Sequence, residues 1–188
     1  PEKLDCKDLL LRMRNRRTQP PLDLRRTLTQ EEVRAMEVAA EGQPREQLLL
    51  SILSTVALRN SAIGCLTYGQ LVDAQHRPRA LCSIPEKGRT VRHFVPPPAL
   101  LKHVVSFVEW FRPLVPAGVD IFKTYVGNAC SFTSPMGTRM LQRFVKRLAH
   151  RAGVTGVDVH PQGFRHTLVG LLMDQGVAMA TVSKFLGH

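Results

Sequence analysis

The sequence lacks the features of secreted and membrane-spanning proteins. Its 188 residues include only four cysteines, Cys6, Cys65, Cys82 and Cys130, and no two of them form a Cys-x-x-Cys pair. This spacing indicates neither a zinc site nor a redox dithiol, and it fits reduced, mostly buried thiols inside a cell. No apolar run is long enough to cross a bilayer, and no signal peptide opens the chain. We therefore expect a soluble protein that is not secreted.

Acidic residues are also scarce. The chain has 15 Asp and Glu against 26 Lys and Arg, which gives a net charge of +11 and a pI of about 10.3. Hydrophobic residues make up 44% of the chain, which is enough for a core and excludes disorder over its whole length. A basic surface that only keeps the protein in solution is one interpretation. So strong a bias in a short chain favours a polyanionic partner, and nucleic acid is the first candidate.

The chain divides into a basic segment and one domain. Residues 1–26 carry six arginines and a Pro-Pro break, which predicts a basic arm or interdomain linker that could follow a phosphate backbone. A solvated terminus without a partner is the alternative. Residues 27–188 show no internal repeat or low-complexity segment. For them we predict a mostly α fold with one small antiparallel β-sheet, of the α+β class.

Capping residues and apolar spacing locate the elements of this domain. Thr29 and Glu32 form a capping box at the start of one helix, and Pro44 opens a second, strongly apolar helix. Short alternating stretches between about 70 and 98 predict the small sheet. Ser134 is the predicted N-cap of a basic helix, and two further helices follow, separated at residues 174–177.

The last 29 residues, HPQGFRHTLVGLLMDQGVAMATVSKFLGH, form a recognisable motif. An Arg165-His166 pair lies near the start of one helix, Gly176-Val177 makes a turn, and the next helix ends in Leu186-Gly187-His188. This order and spacing resemble the second conserved box of the tyrosine recombinases, the phage integrase family.

Two upstream segments resemble the same family. TLTQEEV followed by a leucine-rich helix and ALRNS resembles the family's Leu-Thr-x-Glu-Glu helix and its first catalytic arginine, which falls here on Arg59. The turn Glu86-Lys87-Gly88-Arg89 resembles the β-turn of the family's catalytic lysine, at Lys87. The resemblance covers about residues 26–188 and implies the DNA breaking-rejoining fold, with residues 27–188 as a catalytic domain that ends before the nucleophile segment.

The resemblance implies DNA strand cleavage and rejoining through a 3′-phosphotyrosine, with neither metal nor cofactor. Arg59 and Arg165 would hold the scissile phosphate, since guanidinium forks match phosphate oxygens. Lys87 would protonate the leaving 5′-oxygen, and His188 would donate a hydrogen bond to the phosphate.

The implied partners are double-stranded DNA and further copies of the protein, as a tetrameric synapse. The implied location is with the DNA, in a prokaryotic cytoplasm or a eukaryotic nucleus, and not at a membrane. Residues suited to contact DNA, or equally to form a solvated face, are Arg89, Arg139, Arg143, Lys146 and Arg147.

Three departures from the family pattern keep other functions open. Gln162 occupies the usual histidine position, where an amide can bind phosphate but cannot carry a proton. Ala62 occupies a position where the family often has an acidic residue. The only tyrosines, Tyr68 and Tyr125, do not match the nucleophile, which is expected about nine residues after the Leu-Gly-His. The chain as given is therefore expected to be inactive. A recombinase-like DNA-binding or scaffold module is the alternative, and a type IB topoisomerase is a weaker one.

Overall fold

A computed structural model of the chain describes residues 27–86 and 90–187. Those residues form eight α-helices and one antiparallel pair of strands, with short 3₁₀ turns at Arg112–Leu114 and Ile121–Lys123. The helices are α1 Gln30–Ala39, α2 Pro44–Thr55, α3 Asn60–Gly64, α4 Tyr68–Leu71, α5 Pro98–Phe111, α6 Thr138–Arg151, α7 Pro161–Asp174 and α8 Met179–Phe185, and the strands are β1 Cys82–Pro85 and β2 Val91–Phe94. The predicted mostly α architecture with a small sheet is confirmed.

Helix starts follow the predicted capping residues in two of three cases. The Thr29 hydroxyl accepts the Glu32 N–H at 3.2 Å, and the Glu32 carboxylate accepts the Thr29 N–H at 2.9 Å, so the capping box forms. Pro44 is the first residue of α2. The prediction of Ser134 as the N-cap of α6 is wrong, because that helix begins at Thr138 with Gly137 as its N-cap. Ser134 instead has its carbonyl bound by the Asn128 side chain at 3.0 Å.

The core is built around α2. Its residues 48–53 are all buried, as expected for a helix that is apolar on every side and surrounded by other elements. Helix α2 packs against α5 on one side and α7 on another. Helix α5 presents one buried stripe, at Leu100, Val104, Phe107, Val108 and Phe111. This packing fixes the C-terminal end of α2 against α7, and the candidate site is built at that junction.

The two strands pair antiparallel, with Cys82 opposite Phe94 and Ile84 opposite Arg92. In β2 the buried positions are Arg92 and Phe94, while Val91 is 50% exposed. The strand therefore turns an arginine towards the protein interior. Within the two described ranges, no helix is long and apolar enough to span a membrane. The predicted basic arm, residues 1–26, lies outside the described residues.

The cysteines differ from the expectation of mostly buried thiols. Cys65 and Cys130 are exposed, whereas Cys82 is fully buried in β1, and burial raises the pKa of its thiol to about 11. Because the thiolate is the reactive form, we expect a thiol reagent at neutral pH to modify Cys65 and Cys130 in the native chain. Cys82 should react only after denaturation. Peptide mass spectrometry would check this, and native labelling of Cys82 at the rate of Cys65 would contradict it.

Candidate active site

The C-terminal end of α8 is bound by three arginines from three different parts of the chain. Gly187, with φ of +75°, ends the helix in the left-handed conformation that glycine adopts most readily. Each of the three carbonyls at this end accepts a hydrogen bond from a different guanidinium. Arg92 donates to the Phe185 carbonyl at 2.5 Å, Arg165 to the Leu186 carbonyl at 2.8 Å and Arg59 to the Gly187 carbonyl at 3.2 Å. Carbonyls at a helix C-terminus lack intrahelical partners and carry partial negative charge, so they suit cations.

A second anchor lies at the end of α2. Ala57 has φ of 52°, a left-handed conformation that is uncommon for a residue other than glycine. Its carbonyl accepts from Arg165 at 3.0 Å and from Arg92 at 3.3 Å, and the Val56 carbonyl accepts from Arg92 at 2.8 Å. Arg92 and Arg165 therefore each bridge the end of α2 to the end of α8. Because both are over 90% buried, their orientation is fixed by these contacts.

Arg59 is held differently from the two buried arginines. It is the N-cap of α3, and its side chain is 33% exposed. One terminal nitrogen donates to Gly187, and the other forms an ion pair with the carboxylate of Glu86, whose side chain is only 2% exposed. The guanidinium is thus oriented from two sides and still reaches solvent.

Arg59 and Arg165 open into one cavity of about 640 Å³. Gln162 and His166, on the first turns of α7, lie at its wall and are exposed. The remaining lining residues come from α3, from α6, from later in α7 and from the end of α8, and are Asn60, Ser61, Thr138, Val169 and Leu186. The structure therefore places the two arginines that were predicted to bind phosphate at the same cavity, and Gln162 lies there too.

The electrostatics of this cluster favour an anion. Burial, and then the positive charges of Arg165 and Arg59, lower the pKa of Arg92 to about 10. Burial and the neighbouring Arg59 also lower the pKa of Arg165. A pKa lowered by neighbouring cations means that the charged forms repel each other. A phosphate in the cavity would relieve this repulsion and would accept from the donors of two guanidiniums.

The sequence model of the phage integrase family matches residues 26–188. The chain belongs to the phage integrase family. No curated protein matches its sequence.

Solved structures of integrases and recombinases share the fold. The XerA recombinase superposes with a TM-score of 0.68 at 19% identity, over 91% of this chain and 57% of that one. The XerH site-specific recombinase bound to difH substrate gives 0.66 at 21% identity, over 88% and 47%. The integrase from mycobacterium phage Brujita gives 0.64 at 16% identity, over 90% and 52%. The chain thus spans about half the length of these relatives.

The other residues predicted from the resemblance to integrases fall into two groups. Lys87, Arg89 and His188 lie outside the described residues. The predicted DNA-contacting residues of α6 are all exposed, but they differ in their partners. Lys146 pairs with Asp158 at 3.0 Å and Arg147 with Glu46 at 3.1 Å, whereas Arg139 and Arg143 make no ion pair with a described residue.

Neither Tyr68 nor Tyr125 lines the Arg59–Arg165 cavity. Tyr68 is fully buried in α4, its hydroxyl is hydrogen-bonded to Nδ1 of His76 at 3.0 Å, and its ring stacks on Phe111. Burial raises the pKa of Tyr68. A buried phenol with a raised pKa and a hydrogen-bond partner is a core residue. Tyr125 pairs with Thr67 in an isolated β-bridge.

Sequence reasoning missed Arg92 and Glu86. The signal for Arg92 was available in the sequence. It lies two residues before Phe94 and therefore on the same face of β2, which is the buried face, where a charged residue indicates a special role. Glu86 gave no comparable signal, because its contact with Arg59 depends on how the end of β1 meets α3.

Proposed function

We propose that this chain is the catalytic domain of a site-specific recombinase or integrase that cleaves and rejoins double-stranded DNA through a 3′-phosphotyrosine. The observation that carries the proposal is the convergence of Arg59 and Arg165 on one cavity, each anchored to the end of α8. Because fixed donors need no reorganisation as charge develops, such an arrangement suits the pentacoordinate phosphate of strand transfer.

The proposed reaction exchanges one phosphoester bond for another. A tyrosine loses its phenolic proton to water as its oxygen attacks the scissile phosphorus, the bond from phosphorus to the 5′-oxygen breaks, and Lys87 gives that leaving oxygen a proton. Arg59, Arg165 and Gln162 hold the non-bridging oxygens, with His188 as a further donor. Rejoining runs the same steps in reverse. The nucleophile is a tyrosine other than Tyr68 and Tyr125.

Helix α6 is the proposed DNA-facing element. Its first residue, Thr138, lines the Arg59–Arg165 cavity, and Arg139 and Arg143 are exposed further along the helix, with Arg143 at the wall of a separate cavity that Glu46 and Arg147 also line. The XerH relative is described as bound to difH substrate, and a lambda integrase relative as a dimer bound to a COC′ core site. Duplex DNA, and assembly of several copies on it, are the partners we propose for this chain.

The DNA-facing assignment predicts a salt effect. Replacing both Arg139 and Arg143 with alanine should weaken duplex binding and reduce the slope of log affinity against log salt by about 2, since each lost phosphate contact contributes roughly 0.9. Fluorescence anisotropy across a salt series measures this slope. Arg77→Ala is the control, because Arg77 is already paired with Asp73 at 3.0 Å. An unchanged slope in the double variant would contradict the assignment.

A DNA-binding module without cleavage activity is the second candidate, and Gln162 favours it. The side chain lies at the cavity wall and cannot transfer a proton. The two functions separate in one experiment on the full-length protein. Strand cleavage on a nicked duplex should leave a covalent protein–DNA adduct that survives denaturation. Salt-sensitive binding without any adduct would support the module instead.

A further inference from the structure

Glu86 is an unusual carboxylate for its position. It follows β1 directly, its side chain is 2% exposed, and Oε2 pairs with Arg59. The other oxygen, Oε1, is buried with no hydrogen-bond partner among the described residues. A Cβ placed on Gly187 would lie 3.7 Å from Oε2, so the carboxylate also sits against the end of α8. Burying a carboxylate with one oxygen unpartnered costs stability, which calls for a specific role.

The position where a carboxylate was expected from the family pattern is Ala62. Arg59 is the N-cap of α3, which makes Ala62 its N3 residue. In a capping box, the side chain at N3 reaches back to the N-cap residue. An acidic residue at N3 would therefore touch the arginine from within the same helical turn. Ala62 is 97% buried and has only a methyl group to offer.

We infer that Glu86 is the positioning residue for Arg59, and that it supplies from the end of β1 the carboxylate that position 62 lacks. This inference rests on the proposed function. A guanidinium can rotate about its long side chain, and a single contact with Gly187 would leave its plane free. The ion pair with Glu86 supplies a second fixed point on the other terminal nitrogen.

The charge balance is consistent with this role. Arg59, Arg92 and Arg165 carry three positive charges, and Glu86, which pairs with Arg59, carries one negative charge, so these four side chains together keep a net positive charge of two. Glu86 therefore reduces the repulsion among the arginines without neutralising the site. A phosphate can still bind, and Arg59 is already in place when it arrives.

The test combines an isosteric variant with a relocated carboxylate. Glu86→Gln keeps the shape and removes the charge. In the full-length protein it should slow adduct formation on a nicked duplex by about 10- to 100-fold, with duplex affinity changed less than about threefold. Adding Ala62→Glu to this variant should recover most of the rate. Glu109→Gln, an exposed charge change on α5, is the matched control and should cleave like wild type.

The outcomes separate the inference from the proposed function. If Arg59→Ala abolishes cleavage but Glu86→Gln cleaves like wild type, Glu86 has no positioning role. If Arg59→Ala itself cleaves like wild type, the proposed function fails. If the Glu86→Gln, Ala62→Glu double variant folds but cleaves as slowly as Glu86→Gln alone, Glu86 does not replace a carboxylate at position 62.

A second measurement needs no cleavage and does not depend on the double variant folding. In arginine side-chain NMR spectra of this chain, Glu86→Gln should make the Arg59 guanidinium more mobile and leave Arg165 unchanged. An Arg59 signal of unaltered mobility would contradict the inference.

Discussion

Replacing Arg165 with alanine is expected to abolish strand cleavage by the full-length protein while DNA binding persists. The side chain donates to Ala57 and Leu186 and lines the cavity beside Arg59, so its loss would remove a preorganised cation from the proposed phosphate site. Loss of one such donor costs about 10²- to 10³-fold in rate. Arg165→Lys should recover little, because an ammonium cannot present the planar fork that bridges the two carbonyls and would bind the proposed phosphate.

The measurement is the rate of covalent adduct formation on a nicked duplex, with duplex affinity determined in parallel. Arg34→Ala is the control, since Arg34 is exposed on α1 and does not line the cavity. Circular dichroism confirms that each variant is folded. Undiminished cleavage by a folded Arg165→Ala protein would overturn the assignment of Arg165 to the phosphate site.

Replacing Arg92 with methionine is expected to give a large loss of stability. The variant removes the hydrogen bonds from Arg92 to Val56, Ala57 and Phe185, and among the described residues the Ala57 carbonyl keeps its contact with Arg165 alone. Each buried acceptor left without a donor costs about 1–3 kcal/mol. Relief of the repulsion that lowers the pKa of Arg92 to about 10 offsets part of this. The balance is a loss of about 2–4 kcal/mol in the free energy of unfolding.

For a chain of this size, that loss corresponds to a fall of roughly 5–15 °C in Tm. Thermal and urea denaturation of this chain measure it directly. Arg143→Met is the matched control, because Arg143 is exposed on α6 and its replacement should change the free energy of unfolding by less than about 0.5 kcal/mol. A Tm for Arg92→Met equal to that of wild type would show that Arg92 does not hold α2 and α8 together.

Much of the architecture follows from local sequence patterns. The Thr29–Glu32 capping box and Pro44 locate helix starts because they act within one helical turn. Gly176 separates α7 from α8 for the same reason, with a φ of +78°. Ser134 was a wrong N-cap, because the chain from 128 to 136 is held by contacts with Asn128 and with α3 rather than by a helix.

The candidate site was predictable only where a linear motif covers it. Arg59 and Arg165 stand in segments that resemble the family, and the structure brings both to one cavity. Arg92 and Glu86 act through contacts with residues far away in sequence, such as Phe185 and Arg59. No local period or spacing reports such contacts. The sequence therefore predicted the two arginines that line the cavity and missed the two residues, Arg92 and Glu86, that contact the same part of the fold.

In the proposed function, Arg59 and Arg165 together hold a DNA phosphate. The most direct measurement is a titration of this chain with duplex DNA, followed through the arginine side-chain NMR signals. We predict that the signals of Arg59 and Arg165 shift together and saturate with the same Kd, while the signal of Arg77 does not move. Binding of DNA that leaves the signals of Arg59 and Arg165 unchanged would contradict the account.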